Sequence, residues 1–419
     1  MTHIGRRGVL AGAAGAAGAL AVTAAAGLAG EARAEQRPAG GRAAAAVEFR
    51  GMWIASVGNV DWPSAAGLSA REQRAELTAL LDTAVRRRLN AVVLQVRPTA
   101  DALWPSTREP WSQWLTGEQG RDPGWDPLGT AVTEAHARGL ELHAWFNPYR
   151  VANHTDPDRL VSSHPARLNP GWTVPYGGKL YYNPGLPEVR RFVQEAMLDA
   201  VSRYPIDGVH WDDYFYPYPV SGQYFDDDVA FADHGAGFTS RAAWRRHNID
   251  TLVREMSQAV RRVRPSARFG VSPFAVWRGD DVDPLGSPTR AGVATYDDLY
   301  ADTRKWVVEG WLDYIAPQAY WHLGHPSADY AAIVPWWAGT VRGTGVDLYV
   351  GEALYRCDAD SPTEAWRDPA ELSRHLDFTK RHPEVRGHVY FSAKQVAADP
   401  NGAMARVVAD HYGSAAAPR

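Results

Sequence analysis

Short runs rich in Val, Ile, Leu, Phe, Trp and Tyr alternate along the chain with stretches whose apolar positions recur every three or four residues. The first pattern suits buried strands and the second amphipathic helices. Strand-like runs fall at 49–57, 91–97, 140–147, 206–213, 268–276, 312–320, 346–353 and 386–392. Helical periodicity occupies 69–88, 187–204, 240–264, 295–309, 327–341 and 363–382. The boundaries carry helix signals: Ser69 precedes Glu72 and Glu76, Pro187 stands beside Glu188, and the run from Ser240 stops before Pro265. Eight strands alternating with helical stretches is the pattern of an α/β fold of the (β/α)8 TIM barrel type. A doubly wound open sheet is the alternative, but no Gly-rich phosphate turn follows the first strand. No internal repeat is visible. Long inserts follow strand two (98–124), strand three (148–186) and strand four (214–239). They are too long for simple connections and are expected to build a binding cleft.

Ahead of this alternation the pattern changes. Arg6-Arg7 precede Val9-Leu10 and a long Ala/Gly stretch to Gly30, and Ala32-Arg33-Ala34 offers a cleavage site. This reads as a twin-arginine-type signal peptide over 1–34. A retained anchor is the rival reading, since the run is long enough to span, although Ala and Gly insert weakly. A secreted or cell-envelope location is expected, with no stable membrane span after leader cleavage. Residues 35–46 read as a linker, 47–400 as the barrel, and 401–419 as a C-terminal helix and tail.

Composition then narrows the function classes. With 44 Lys+Arg against 48 Asp+Glu, the net charge of -4 does not suit a nucleic-acid backbone binder. A lone cysteine, Cys357, excludes an intramolecular disulfide framework and a Cys-rich zinc module. No His-x-Glu-x-x-His or His-x-His run appears, and Asp226-Asp227-Asp228 reads as a solvated loop rather than a calcium site, so no metal or other cofactor is expected. The absence of a Gly-x-Ser-x-Gly elbow counts against a serine hydrolase. The aromatic content is unusual, with 17 Trp beside 18 Tyr and 11 Phe. Indole faces fill cores and also stack on sugar rings. Trp104, Trp111, Trp114, Trp125 and Trp172 fall in or near the inserts as candidate cleft walls, whereas Trp306 and Trp311 are ordinary core candidates.

Barrel chemistry sits where strands end, and alternation decides which side chains face the axis. In strand four, Gly208, His210 and Asp212 share a face, and Asp213 begins the loop. Adjacent carboxylates there repel, which raises one pKa and prepares a general acid. A helix cap or an arginine partner is the structural alternative. Gln95 and Arg97 share a face of strand two, and Arg97 is expected to pair with Asp212 or with substrate, or else to form a purely structural ion pair. Asn147 shares the face of His143 and Trp145 and could hydrogen-bond a hydroxyl or an acetamido group. Ser272 on strand five, Gln318 and Tyr320 on strand six, and Trp53 on strand one point the same way. Tyr149, Tyr214, Arg278, Trp321 and Tyr355 complete the candidate binding set. Glu352 at the end of strand seven and Glu109 in the strand-two insert are candidates for a second catalytic carboxylate, each with a rim salt bridge as the alternative.

Many ordered runs then carry a resemblance. They include Phe49-Arg50-Gly51-Met52-Trp53, Leu94-Gln95-Val96-Arg97-Pro98, Pro110-Trp111-Ser112, Asn147-Pro148-Tyr149-Arg150 and Tyr182-Asn183-Pro184-Gly185. Asp207-Gly208-Val209-His210 with Asp212-Asp213-Tyr214, Gly270-Val271-Ser272-Pro273-Phe274 and Pro317-Gln318-Ala319-Tyr320-Trp321 continue it. Together they resemble the glycosyl-hydrolase-like family ten over roughly 47–400. The resemblance implies a TIM barrel and a glycosidase acting on peptidoglycan glycan strands, particularly strands stripped of their peptides. Asp212 and Asp213 match the family's acidic pair. Two mechanisms stay open. A strand-four acid can work with Glu352 as nucleophile, the carboxyls about 5–5.5 Å apart. Alternatively, the substrate's own acetamido oxygen attacks, with Asp212 orienting it and Asp213 as acid. A carbohydrate-binding barrel without catalysis, and a metal-assisted deacetylase or phosphodiesterase, are the alternatives from other classes.

Overall fold

A computed structural model of the protein describes residues 48–414; the expected leader and linker lie outside the described residues. Eight parallel strands run β1 (Phe49–Ile54), β2 (Ala91–Arg97), β3 (Glu141–Phe146), β4 (Gly208–Trp211), β5 (Arg268–Val271), β6 (Tyr314–Ile315), β7 (Asp347–Glu352) and β8 (Val385–Tyr390). They hydrogen-bond in sequence order and close, β8 pairing with β1. The helices α1 (Ala70–Arg86), α2 (Pro127–His136), α3 (Pro187–Arg203), α4 (Arg241–Val263), α5 (Thr303–Val308), α6 (Tyr330–Val341), α7 (Glu371–Thr379) and α8 (Ala403–His411) follow the strands in turn. The chain is therefore a (β/α)8 TIM barrel; seven of the expected strand runs contain an observed strand, and the eighth overlaps Val385–Tyr390, which begins one residue earlier. No described helix is long and apolar enough to cross a membrane.

Local chemistry accounts for the helix starts. Ser69 and Glu72 form a reciprocal capping box on α1, and Ser240 accepts from the Ala243 amide to start α4. Two expected helices are broken. The 295–309 run divides into Thr295–Asp298 and α5, because Tyr300 adopts a left-handed φ of 51° and Asp302 caps α5 afresh. The 363–382 run divides into Glu364–Arg367 and α7 around Asp368-Pro369, where proline disfavours a helical conformation in the residue before it. The strand-three insert contains a feature the periodicity does not reveal, a three-stranded antiparallel sheet. Its central strand Lys179–Tyr182 pairs with Arg150–Ala152 on one side and Thr173–Tyr176 on the other.

Alternation inside the barrel separates two packed zones. Phe49, Trp53, Val93, Trp145, Tyr314, Tyr349 and Val389 fill the interior. Met52, Ile54, Val92, Leu94, Ala144, Phe146 and Val350 pack in the larger outer core with the helices. A polar column threads the aromatic interior. Tyr314 Oη lies 2.8 Å from His143 Nδ1 and 2.9 Å from His210 Nδ1, and His210 Nε2 meets Trp53 Nε1 at 3.1 Å and Ser272 Oγ at 2.8 Å. Gly208 and Gly270 make room for it: a Cβ would collide with the His143 ring at one and with the Tyr314 ring at the other.

The same alternation corrects the expectation for Glu352. Its face is that of Leu348 and Val350, toward the helices, while Tyr349 faces the axis. Its fully buried carboxylate accepts from Tyr330 Oη at 2.8 Å and meets His375 Nδ1 at 2.8 Å and His388 Nδ1 at 2.9 Å. His375 Nε2 lies 3.4 Å from Glu371, so the cluster ties α6 and α7 to β7 and β8. Burial on its own would raise the Glu352 carboxyl, but the His375 charge and the two histidine hydrogen bonds outweigh it and hold it at about 2. Burial disfavours the charge on His375, yet Glu352 and then Glu371 hold its pKa above the usual 6.5. The depressed carboxyl contributes stability above its ordinary value of 4.5 and loses it as pH falls through about 2. The raised imidazole contributes below 6.5 and loses it as pH rises through its higher folded value. Glu352→Gln should cost about 3–5 kcal/mol in urea unfolding at neutral pH, because it leaves a buried imidazolium short of a partner. An unchanged urea midpoint would contradict this role.

Candidate active site

A cleft of 350 Å³ opens over the C-terminal ends of the strands. Every strand sends a residue to it, from Trp53 and Gln95 on β1 and β2 to Tyr355 and Phe391 just beyond β7 and β8. Asp212 and Asp213 follow directly on β4 and are the carboxylates in its lining.

The two acids have different surroundings. Asp212 is met by donors: Asn147 Nδ2 to Oδ2 at 3.3 Å, Gln318 Nε2 to Oδ1 at 3.2 Å, and the Asp213 amide to Oδ1 at 2.9 Å. The direction of these amides is fixed from further away. Gln95 Oε1 accepts from the backbone amides of Ser56 at 3.0 Å and Val57 at 2.9 Å. Its nitrogen must then face Asn147 Oδ1, which it reaches at 2.7 Å, and this turns the Asn147 nitrogen toward Asp212. Gln318 is held likewise through the Ser272 carbonyl at 2.8 Å. Asp213 is also buried. Burial first, and the Asp212 charge second, push its carboxyl well above the ordinary range, and a hydrogen bond from Tyr218 Oη opposes them. Of the two, Asp213 is thus the carboxyl whose proton is held more tightly than usual.

Of the candidates read from sequence, Trp53, Asp212, Asp213, Tyr214, Ser272, Gln318, Tyr320 and Tyr355 line the cleft. Asn147 lies one hydrogen bond behind it. His210 lies beneath as part of the polar column, and burial with the nearby His143 keeps its ring neutral. The remaining candidates are placed elsewhere. Arg97 does not reach Asp212; it forms a bidentate pair with Glu109, Nε to Oε2 at 2.7 Å and Nη2 to Oε1 at 2.5 Å, both side chains fully buried. Arg97 also donates to the carbonyls of Asn147 and Pro148, so the pair fixes the strand-two insert to the end of β3 and takes Glu109 out of the cleft. Tyr149 is buried in the outer core. Arg278 is engaged with Asp297 at 2.8 Å and Asp283 at 2.9 Å, and Trp321 packs edge-on to Phe274. The tryptophans at 104, 111, 114, 125 and 172 do not line the cleft. Trp104 is buried with Nε1 on Asp199 at 2.8 Å, and Trp172 packs on Phe192. Trp306 is buried in the core as expected.

Several lining residues lie outside the candidate set, among them Gln95, Trp145, Arg150 and Phe391. Tyr218, which touches Asp213, comes from the Tyr216-Pro217-Tyr218-Pro219 run of the strand-four insert. Arg150 ends a motif already singled out, and Phe391 directly follows β8. Gln95→Met should lower stability by about 1–3 kcal/mol in urea unfolding, because it orphans the Ser56 and Val57 amides. A cost within a few tenths of the wild type would show that the amide relay is not held as described.

A family model described as glycosyl hydrolase-like 10 matches residues 48–368. The glycosyl hydrolase YngK of Bacillus subtilis (strain 168) is 47% identical over 369 residues, covering 87% of this chain and 72% of that protein. The glycosyl hydrolase DigH of Escherichia coli (strain K12) is 40% identical over 363 residues, 82% of each. Among solved structures, the glycoside hydrolase domain of PgaB from Bordetella bronchiseptica shares the fold, with a TM-score of 0.55 at 14% identity over 86% of this chain and 98% of that one. The chain belongs to the glycosyl hydrolase-like 10 family and is an enzyme of the glycosidase type.

Proposed function

We propose that the protein hydrolyses glycosidic bonds in N-acetylated cell-wall glycan, namely peptidoglycan strands freed of their peptides, in the cell envelope or outside the cell. The observation that carries the mechanism is the difference between two adjacent carboxyls: burial and the neighbouring charge push Asp213 upward, and Asp212 is surrounded by donors. Glu352 and Glu109 are each consumed by buried partners, which favours a nucleophile supplied by the substrate.

In this scheme a sugar seats its N-acetyl group against Asp212. The acetamido oxygen attacks the anomeric carbon, the bond to the leaving oxygen breaks, and Asp213 passes its proton to that oxygen. Asp212 accepts the acetamido N–H and stabilises the positive charge that develops on the cyclised group. Asp213, now a carboxylate, removes a proton from water, which opens the ring and restores the acid. Trp53, Trp145, Tyr214, Tyr320 and Phe391 offer ring faces to the sugars.

Incubated with peptide-free strands, the wild-type chain should shorten them. Asp212→Asn and Asp213→Asn should each lose about 10²–10⁴-fold in kcat, and strands stripped of their N-acetyl groups should resist cleavage. Intact strands with wild type, or cleavage by both variants at the wild-type rate, would overturn the proposal. Retention without turnover would indicate a binding barrel, and activity abolished by EDTA a metal enzyme. The alkaline limb of the kcat profile should report Asp213, with activity falling as pH rises and the proton is lost. Tyr218 stabilises the charged form of Asp213, so Tyr218→Phe should raise its pKa and move that limb to higher pH. A limb that stays in place or moves down would assign it to another group.

A further inference from the structure

Arg150 is the first residue of the antiparallel sheet in the strand-three insert, and it lines the cleft while only 5% exposed. Other arginines this well covered have a carboxylate: Arg97 holds Glu109, and Arg245 holds Asp227 at 2.6 Å. Arg150 forms no ion pair among the described residues. Its Nε and Nη2 share one carbonyl, that of Pro98, at a long 3.3 Å each, and the guanidinium lies 4.8 Å over the Tyr214 ring. Its charged neighbour on the adjoining strand is another cation: Lys179, whose pKa is lowered first by burial and then by Arg150 itself. A covered guanidinium without a counter-charge is costly. That cost is removed if an anion arrives with the ligand, and the planar fork suits a carboxylate held by two parallel hydrogen bonds.

We propose that Arg150 reads an unblocked carboxylate on the glycan. Resting on the cell-wall reading above, this carboxylate is the lactyl ether group that each N-acetylmuramic acid exposes once its stem peptide has been removed. With the peptide in place the group is a neutral amide, which offers the guanidinium no charge and leaves it unpaired. Tyr214, under the guanidinium, directly follows Asp213, so the carboxylate is read beside the acid. Arg150 is thus a specificity residue and takes no part in bond breaking.

The test compares peptide-free strands with the same strands after reduction of their carboxylates to alcohols. Wild type should prefer the carboxylate form by about 10- to 100-fold in kcat/KM. Arg150→Met, which keeps the aliphatic stem, should bring that ratio close to one, and Arg150→Lys should keep part of it. Equal wild-type rates on the two substrates, or an undiminished ratio in a folded Arg150→Met, would overturn the proposal. If the methionine variant does not fold, Arg150→Lys takes its place, and a ratio undiminished in that variant would overturn the assignment. An N-acetylglucosamine–uronate polymer forms a third arm, and if it is preferred as strongly as the wall strands, the lactyl assignment is overturned. If wild type cleaves none of these, calorimetric titration separates the two claims: tighter wild-type binding of the carboxylate form supports the Arg150 assignment although the glycosidase reading fails. Equal binding overturns it.

Discussion

Consecutive carboxyl groups withdrawn from water repel each other strongly enough that one of them keeps a proton, and the top of this barrel is arranged around that constraint. Asp212 and Asp213 differ in what surrounds them rather than in chemistry. Donors from β3, β6 and the chain itself converge on the first, while burial dominates at the second. Reversing the orientation of the Asn147 amide would place an acceptor against Asp212 and remove the asymmetry. The Gln95 contacts that prevent this reversal therefore belong to the chemistry, although Gln95 lies away from both acids.

The support continues downward. His210 is neutral and hydrogen-bonded at both ring nitrogens, so it joins the cleft floor at Trp53 and Ser272 to Tyr314 deep in the barrel. A column of aromatic rings with satisfied polar atoms resists compression as an apolar core does, and it also fixes ring rotation. Glycines on β4 and β5 supply the space it needs. On the outer side of the barrel, Glu352 does comparable work with Tyr330, His375 and His388, fastening two helices to two strands.

The eight strands were legible because each is a dense apolar run between polar boundaries, and the acidic pair was legible because it falls at a strand end. Glu352 shows where this reading fails. Its position at the end of β7 suggested chemistry, but the phase of alternation, set by Tyr349 and Gly351 facing the axis, turns it toward the helices. Arg97 and Glu109 were separate candidates in the sequence and are partners in space, a relation created by the fold of a long insert. Tyr218 and the small antiparallel sheet were hidden for the same reason, and Arg150 was visible only as the end of a motif. Short strands and loop residues acquire their places from non-local contacts, which periodicity does not record. Broken helices at Tyr300 and at Asp368-Pro369 are local events, and the proline of the second was visible in advance.

The antiparallel sheet of the strand-three insert hydrogen-bonds within itself and not to the barrel's strands. The acids hang from the barrel ladder, while a wall of the cleft hangs from this separate platform. A change of sequence or length in the hairpin between Tyr176 and Lys179 would leave the barrel's register untouched. The proposed acid and the proposed carboxylate reader thereby stand on separately hydrogen-bonded parts of the chain, so a substitution in one sheet leaves the ladder of the other intact.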